Sequence, residues 1–378
     1  MFKFNFNVES NSDHDQKTNS NESQSHQENA AAKDNNDEQV NTDIINYDDL
    51  EKRVNNKQKE IYFKKLYLNE NDEQIQTTTE NHIQYVDSYK IKLENNDTLN
   101  NILNTHDLVP NKYEGGLKVW ELSIDLARFI NSISLLDDLD SYKSNNINNL
   151  SHLKTIKSFL NSFKATQLDL GTNKLELRIL ELGCGHALPS LSLIKCIEEN
   201  LDNDSVELDI IVYLQDFNEE IIENITFENV KKYLEQHPDS SNKNIKKIFK
   251  FIYGDWRVMY ENKILPRNYF DIILTSETIY NKNNYNYLLN IFKGCLIQNK
   301  STSLVLLAAK TYYFGCGGNL LEFLNVAKSS NYNFKSSKSL IFGYDTKEKI
   351  IKFLNENTND NNDDDFESIS KEIILMNL

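Results

Sequence analysis

Three things are missing from this 378-residue sequence: closely spaced cysteines, a long apolar run and an excess of positive charge. The four cysteines, Cys184, Cys196, Cys295 and Cys316, stand far apart in apolar or glycine-rich surroundings and form no C-x-x-C pair. That spacing argues against a disulfide framework or a zinc site, and leaves buried, reduced thiols as the expectation. No apolar stretch approaches the about 18–20 residues that a membrane span needs. The first residues, Met1-Phe2-Lys3-Phe4-Asn5-Phe6-Asn7, alternate aromatic and polar side chains, without the apolar core of a signal peptide. A soluble protein of the cytoplasm and nucleus, nucleolus included, is therefore expected, with no membrane partner. The net charge is −16. A phosphate backbone is gripped by a basic face, so direct nucleic-acid binding is not expected, and a Lys/Arg-rich protein suits this surface better.

What is present divides into three parts. Residues 1–50 are expected to be a disordered arm with a short aromatic tip. From Ser10 to Asn41 they are Asn, Ser, Gln, Asp and Glu with almost nothing apolar, too little to offset chain entropy. Residues 51–112 hold helix-like and strand-like fragments without recognisable chemistry, read as a partly ordered extension. From 113 to 378 short apolar strands alternate with helices. Apolar residues at helical spacing predict a helix over Leu117–Ile133. Strands are expected at Glu176–Leu182, Leu208–Leu214, Ile248–Tyr253, Phe270–Thr275 and Ser303–Ala309. Helices are expected at Leu188–Glu199, Asn218–Tyr233, Tyr285–Cys295 and Leu320–Lys328. This alternation predicts an α/β domain with a mostly parallel sheet covered on both faces. Two further strand-like runs follow, Ser339–Tyr344 and Ser368–Met376, the second suited to an antiparallel insert.

The chemistry gathers at the strand ends. Ile179-Leu180-Glu181-Leu182-Gly183-Cys184-Gly185-His186 is an apolar strand entering a glycine turn and then a helix. Gly183 and Gly185 let the backbone bend sharply and approach a ligand. The third glycine of a dinucleotide fingerprint is absent, so a pyrophosphate cradle is poorly supported. After the next strand, Asp216 can accept both hydroxyls of a ribose, a device shared by nucleotide and adenosyl ligands. After the third strand comes Gly254-Asp255-Trp256, where Asp255 could take an adenine amino group and Trp256 could pack on the ring. After the fourth, Ser276-Glu277-Thr278-Ile279-Tyr280 places Glu277 and Tyr280 at the mouth of the sheet. His186 reads as packing within the turn rather than as a base. Gly315, Gly317 and Gly318 read as a wall of the substrate pocket.

The glycine turn, the acidic ribose residue and the Glu-x-x-Tyr after strand four resemble the seven-strand protein methyltransferases. Three segments sharpen this towards the eukaryotic histidine protein methyltransferases of that group: Tyr113-Glu114-Gly115-Gly116-Leu117-Lys118-Val119-Trp120-Glu121, Ile273–Asn281 and Lys310-Thr311-Tyr312-Tyr313-Phe314-Gly315. The aromatic start at Met1–Phe6 is similar as well. The resemblance covers about Leu108 to Leu378 plus that tip. It implies a Rossmann-like class I methyltransferase fold with a seven-stranded sheet and S-adenosylmethionine as donor. It also implies methylation of the Nε2 of one histidine in a large-subunit ribosomal protein. Carried over by position, the cofactor contacts are Val119, Trp120, Glu121, Gly183, Gly185, Gln215, Asp216, Asn218, Gly254, Trp256 and Ser276. His186 and Ala187 depart from the small residue and glycine of many relatives, and the loops at Asn242 and Asn359 are long.

Histidine is mostly neutral at pH 7 and needs no strong base, only a partner for its second ring N–H. Glu277 or the amide of Asn281 is expected to supply it, with Tyr280 shaping the pocket. A lysine acceptor, or a ribosome-associated binding protein without activity, stays open on the residues alone. A monomer is expected.

Overall fold

The computed structural model describes residues 43–55, 61–68, 82–88, 108–109, 112–131, 174–200, 207–239, 245–298, 303–330 and 371–376. Strands β4 (Lys174–Leu182), β5 (Glu207–Asp216), β6 (Ile245–Tyr253), β7 (Ile272–Ser276) and β8 (Leu304–Lys310) form a parallel core. Strand β9 (Lys371–Met376) runs antiparallel along β8, and β1 (Ile45–Asn46) antiparallel along β6. The sheet order is β1-β6-β5-β4-β7-β8-β9.

The strands are buried on both faces, which is why they read as continuous apolar runs. Alternate residues divide between two cores. On one face Leu177, Ile179, Val212, Leu214, Leu274 and Leu306 pack with Leu126 and Ile130 of α2 (Glu121–Asn131), Leu191 and Ile194 of α3 (Leu188–Asn200), and Val230 of α4 (Phe227–Gln236). On the other face Leu180, Tyr213, Ile273, Val305 and Leu307 meet Met259 of α5 (Trp256–Glu261), Leu289 and Phe292 of α6 (Tyr285–Cys295), and Phe323 of α7 (Leu320–Ser329). Each such aliphatic side chain contributes roughly 1.5–3 kcal/mol by leaving water. The chain steps from β4 outward through β5 to β6, then crosses back to β7 on the other flank of β4. Strand order reverses there, and ligands of open α/β sheets bind beyond the carboxyl ends at that point.

The structure departs from expectation in three places. Residues 43–50, inside the stretch expected to be a disordered arm, are structured. Tyr47, Leu50 and Val54 lie at helical spacing in α1 (Tyr47–Val54), which buries Leu50 and Val54, and β1 covers the edge of β6. The helix expected from Leu117 starts only at Glu121, because Lys118 N–H turns back onto the Gly115 carbonyl. The helix expected over Asn218–Tyr233 is broken into a turn at Glu219–Ile221, a π-helical stretch at Ile222–Thr226, and α4. Strand β9 runs antiparallel to β8, as expected of the Ser368–Met376 run, while the Ser339–Tyr344 run and the Met1–Phe6 tip lie outside the described residues. In the extension, β2 (Phe63–Tyr67) and β3 (His82–Val86) form an antiparallel hairpin.

Candidate active site

The glycine turn follows β4. Gly183 and Gly185 have φ of +62° and +46°. A Cβ on Gly183 would come 2.7 Å from the Thr278 methyl, so the close passage needs glycine. The turn is held from below by hydrogen bonds. Gly185 N–H donates to Asp216 Oδ2 at 2.9 Å, and Thr226 Oγ1 donates to the Gly185 carbonyl at 2.6 Å. Thr226 belongs to the π-helical stretch, and such stretches recur where a helix must re-aim one side chain at a site. One turn on, Asn229 Nδ2 donates to the His186 carbonyl at 2.9 Å, and its Oδ1 accepts Val86 N–H at 2.7 Å. His186 is buried, donates from Nε2 to the Leu117 carbonyl at 2.9 Å, and has its pKa lowered to about 4 by burial. It is a neutral brace between the turn and the entry to α2.

Gln215 is fully buried behind the turn. Its Oε1 accepts Gly183 N–H (3.2 Å) and Trp256 Nε1–H (2.7 Å), and its Nε2 donates to the Gly254 carbonyl (2.9 Å). Three strand ends are thereby fixed to one another. Asp255 caps α5 by accepting Arg257 N–H at 2.7 Å. The opposite wall comes from residues 112–120. Asn218 pins this segment, donating to the Lys112 carbonyl (2.8 Å) and accepting Glu114 N–H (3.2 Å), while Trp120 Nε1 donates to the Gly115 carbonyl (2.9 Å). The Tyr280 hydroxyl donates to the Glu114 carboxylate.

These walls border an open cleft of about 840 Å³ at the strand ends, the solvent space at its mouth included. Val119, Trp120, Gly183, Gly185, Asp216, Gly254, Asp255, Trp256, Ser276, Glu277 and Tyr280 line it. Four residues singled out from the sequence do not. Gln215 and Asn218 sit behind the wall as braces. Glu121 points to Lys371 of β9. Asn281 spends its side chain accepting Asn283 N–H at 3.0 Å in a 3₁₀ turn at the head of α6, and Asn284 takes a place on the wall instead. That corrects the expectation for the Asn281 amide: the Asx-type turn, a local bond, claims it first. Glu114, Gly116, Ser123, Phe217 and Thr278 also line the cavity without having been singled out; the Gly115-Gly116 pair marked the first two.

The site is acidic and largely buried. Burial raises the pKa of Asp216 to about 6, against the pull of N–H groups from Gly185, Asn218 and Phe217. Glu277 adopts φ +58°, a left-handed conformation that costs a residue with a Cβ about 1 kcal/mol or more. Burial raises its pKa, while Lys310, with Nζ 3.0 Å from Oε1, and Tyr313 pull it back. Neither Oε atom is met by a hydrogen bond of good geometry. Burial, then the Glu114 charge, push the Tyr280 phenol well above its usual range, so it remains a donor. No group of His, Cys, Asp and Glu among the described residues could hold a metal ion.

Residues 111–314 match the protein family described as lysine methyltransferase. A protein of Dictyostelium discoideum named histidine protein methyltransferase 1 homolog is 32% identical over 256 residues, covering 68% of this chain and 62% of that protein. Histidine protein methyltransferase 1 of Schizosaccharomyces pombe is 29% identical over 61% of this chain and 62% of its own length. The Mus musculus histidine protein methyltransferase 1 homolog is 27% identical, over 62% and 56%. The chain thus spans less than two thirds of the length of each of these relatives. The cofactor that goes with this family is S-adenosylmethionine, and the residues fit it: a turn that a Cβ would fill, a buried carboxylate one strand away, and Trp256 on the far wall. Its doubly covered parallel sheet has the class I methyltransferase architecture, and the chain belongs to the lysine methyltransferase family.

Proposed function

We propose that this protein transfers a methyl group from S-adenosylmethionine to the Nε2 nitrogen of a histidine in a large-subunit ribosomal protein. The observation that carries this reading is Glu277, a buried carboxylate on the cavity wall that keeps room for a further donor and whose charge Lys310 already balances. Such a group accepts one imidazole N–H and leaves the other ring nitrogen's lone pair free to attack. The names of the relatives support histidine, and the net charge of −16 suits a basic protein partner over nucleic acid.

When bound, S-adenosylmethionine would supply a sulfonium methyl, the Nε2–C bond forming as the S–C bond breaks and the sulfur leaving as a neutral thioether. Positive charge passes to the imidazole ring, where Glu277 holds the Nδ1–H until the proton is released to solvent. Most of what the protein contributes is alignment, because in-line transfer needs the nucleophile about 3 Å away and little else. Tyr280, tied to Glu114, shapes the wall beside it.

A lysine acceptor is the second reading, favoured by the family's description. Lysine, with a pKa of about 10.4, must first lose a proton. Incubation with labelled donor and large ribosomal subunits from cells lacking the enzyme, followed by mapping of the label, separates the two. Label on a histidine Nε2 is expected; label on lysine overturns the proposal. In the same assay Glu277→Gln is expected to lower turnover about a hundredfold with little change in cofactor affinity. A parallel fall in both would remove Glu277 from this role.

A further inference from the structure

A second, smaller hollow, open to solvent, adjoins the first and is lined by Leu108, Glu114, Trp120, Glu277, Tyr280 and Tyr313. Glu114, Trp120, Glu277 and Tyr280 line both spaces, so they form the partition between them. Leu108 and Tyr313 belong to the second alone. We propose that this second cavity is the pocket for the acceptor side chain, and that its chemistry selects a neutral imidazole. This rests on the histidine reading above and names the place where that side chain sits.

Three observations converge on it. The walls carry three aromatic rings, Trp120, Tyr280 and Tyr313, which suit a flat ring more than a flexible chain. Trp120 and Tyr280 are held by bonds to Gly115 and Glu114, and Tyr313 is buried with its hydroxyl accepting Lys310 N–H at 3.2 Å. The rings are thus set before anything enters, which saves ordering entropy on binding. Second, the buried Glu277 carboxylate lies on the partition, and Lys310, Tyr313 and the Leu122 N–H engage it without filling the about four lone-pair sites that a carboxylate offers. Removing a buried acceptor's water without supplying a donor is costly, so a ligand that brings one N–H is favoured. Third, the Lys310 ammonium stands 3.0 Å from that carboxylate and is itself largely buried. A lysine acceptor would bring a second ammonium beside it, a like-charge placement that is penalised at low dielectric. An imidazole brings no charge at pH 7 and gains it only during transfer.

The position also fits the geometry of transfer. The donor space and the acceptor space meet across Trp120, Glu277 and Tyr280, while Asn218 ties Glu114 N–H to the strand end that carries Asp216. One rigid frame therefore sets the distance between the two ligands.

The test uses the full chain loaded with S-adenosylhomocysteine and two probes, 4-methylimidazole and n-butylamine. Binding is followed by tryptophan fluorescence and by proton contacts to labelled leucine and valine methyls. The expected result is saturable binding of 4-methylimidazole with contacts to the Leu108 methyls. Leu108→Trp, which fills the second cavity alone, is expected to weaken this binding at least tenfold and to leave the affinity for S-adenosylhomocysteine within twofold. If Leu108→Trp fails to fold, the methyl contacts in the unaltered protein decide the matter by themselves. Binding of 4-methylimidazole without contact to Leu108 overturns the pocket and leaves the histidine reading standing. Binding of n-butylamine at Leu108 with 4-methylimidazole inert overturns the histidine reading and the selectivity with it.

Discussion

Asp216 sits at the carboxyl end of β5 with its pKa raised to about 6, and its ionised form is the one that can accept two hydroxyl protons from a ribose. Affinity for S-adenosylmethionine is accordingly expected to be flat from pH 8 to about 6.5 and then to weaken, approaching tenfold per unit below pH 6. Titration calorimetry across pH 5–8 checks this, and Asp216→Asn should remove the slope along with most of the affinity. Glu181 behaves differently because it faces no ligand. Buried one residue before the end of β4, it accepts Ser190 N–H at 3.0 Å, and burial raises its pKa to about 8. Between pH 4.5 and 8 the folded protein holds a proton that the unfolded chain has lost. Its contribution to stability therefore falls as pH rises, by about 1.4 kcal/mol per unit within that window. Glu181→Gln keeps the bond to Ser190 and cannot ionise. Denaturant titrations should find it increasingly more stable than the parent from pH 5 to pH 8; an unchanged difference would show that Glu181 is ionised in the fold. Neither pKa could be read from the sequence, because each is set by burial among residues remote in the chain.

Elements were legible where one residue pattern decided them. The five parallel strands are apolar runs because both faces are covered, and Tyr285–Cys295 was bounded by its periodicity at both ends. The π-helical stretch was not legible, since an i→i+5 ladder leaves no pattern in residue type. Neither was β1, two residues whose pairing depends on Phe251 and Lys250 of a strand far along the chain. The site followed the same division. Gly183, Gly185, Asp216 and Trp256 announced themselves at strand ends, whereas the bracing by Gln215 and the Glu114–Tyr280 bond exist only once the strands are side by side. Gly318 shows how tightly two loops can be fitted. A Cβ there would lie 2.2 Å from the Ile279 carbonyl oxygen and 2.4 Å from that of Tyr280, both backbone atoms that cannot rotate away. Gly318→Ala is expected to shift the Glu277–Tyr280 segment. Displacements of about 1 Å cost on the order of 100-fold in turnover, so the variant should lose activity with cofactor affinity largely kept. Steady-state kinetics beside calorimetry measures both, and undiminished turnover would show that the loop yields instead.

For the whole molecule, the family match spans residues 111–314 and stops short of the hairpin β2–β3 and of β1–α1. Yet these segments are joined to the frame that holds the glycine turn. Arg53 of α1 pairs with Glu223 at 3.5 Å, in the π-helical stretch that carries Thr226, and Val86 ends the hairpin on Asn229. Asn229 thus has one hand on the hairpin and the other on the glycine turn. Two ligands of one side chain cannot be energetically independent. Whatever factor the docked hairpin adds to cofactor affinity, bound cofactor must return to hairpin docking, because the cycle closes. Saturating S-adenosylmethionine should then slow hydrogen exchange at the Val86 amide, some distance from the cavity, and Asn229→Ala should abolish that slowing. A chain so wired carries the filling of its cavity through Asn229 to Val86, both buried, and so to a hairpin that lies outside the family match.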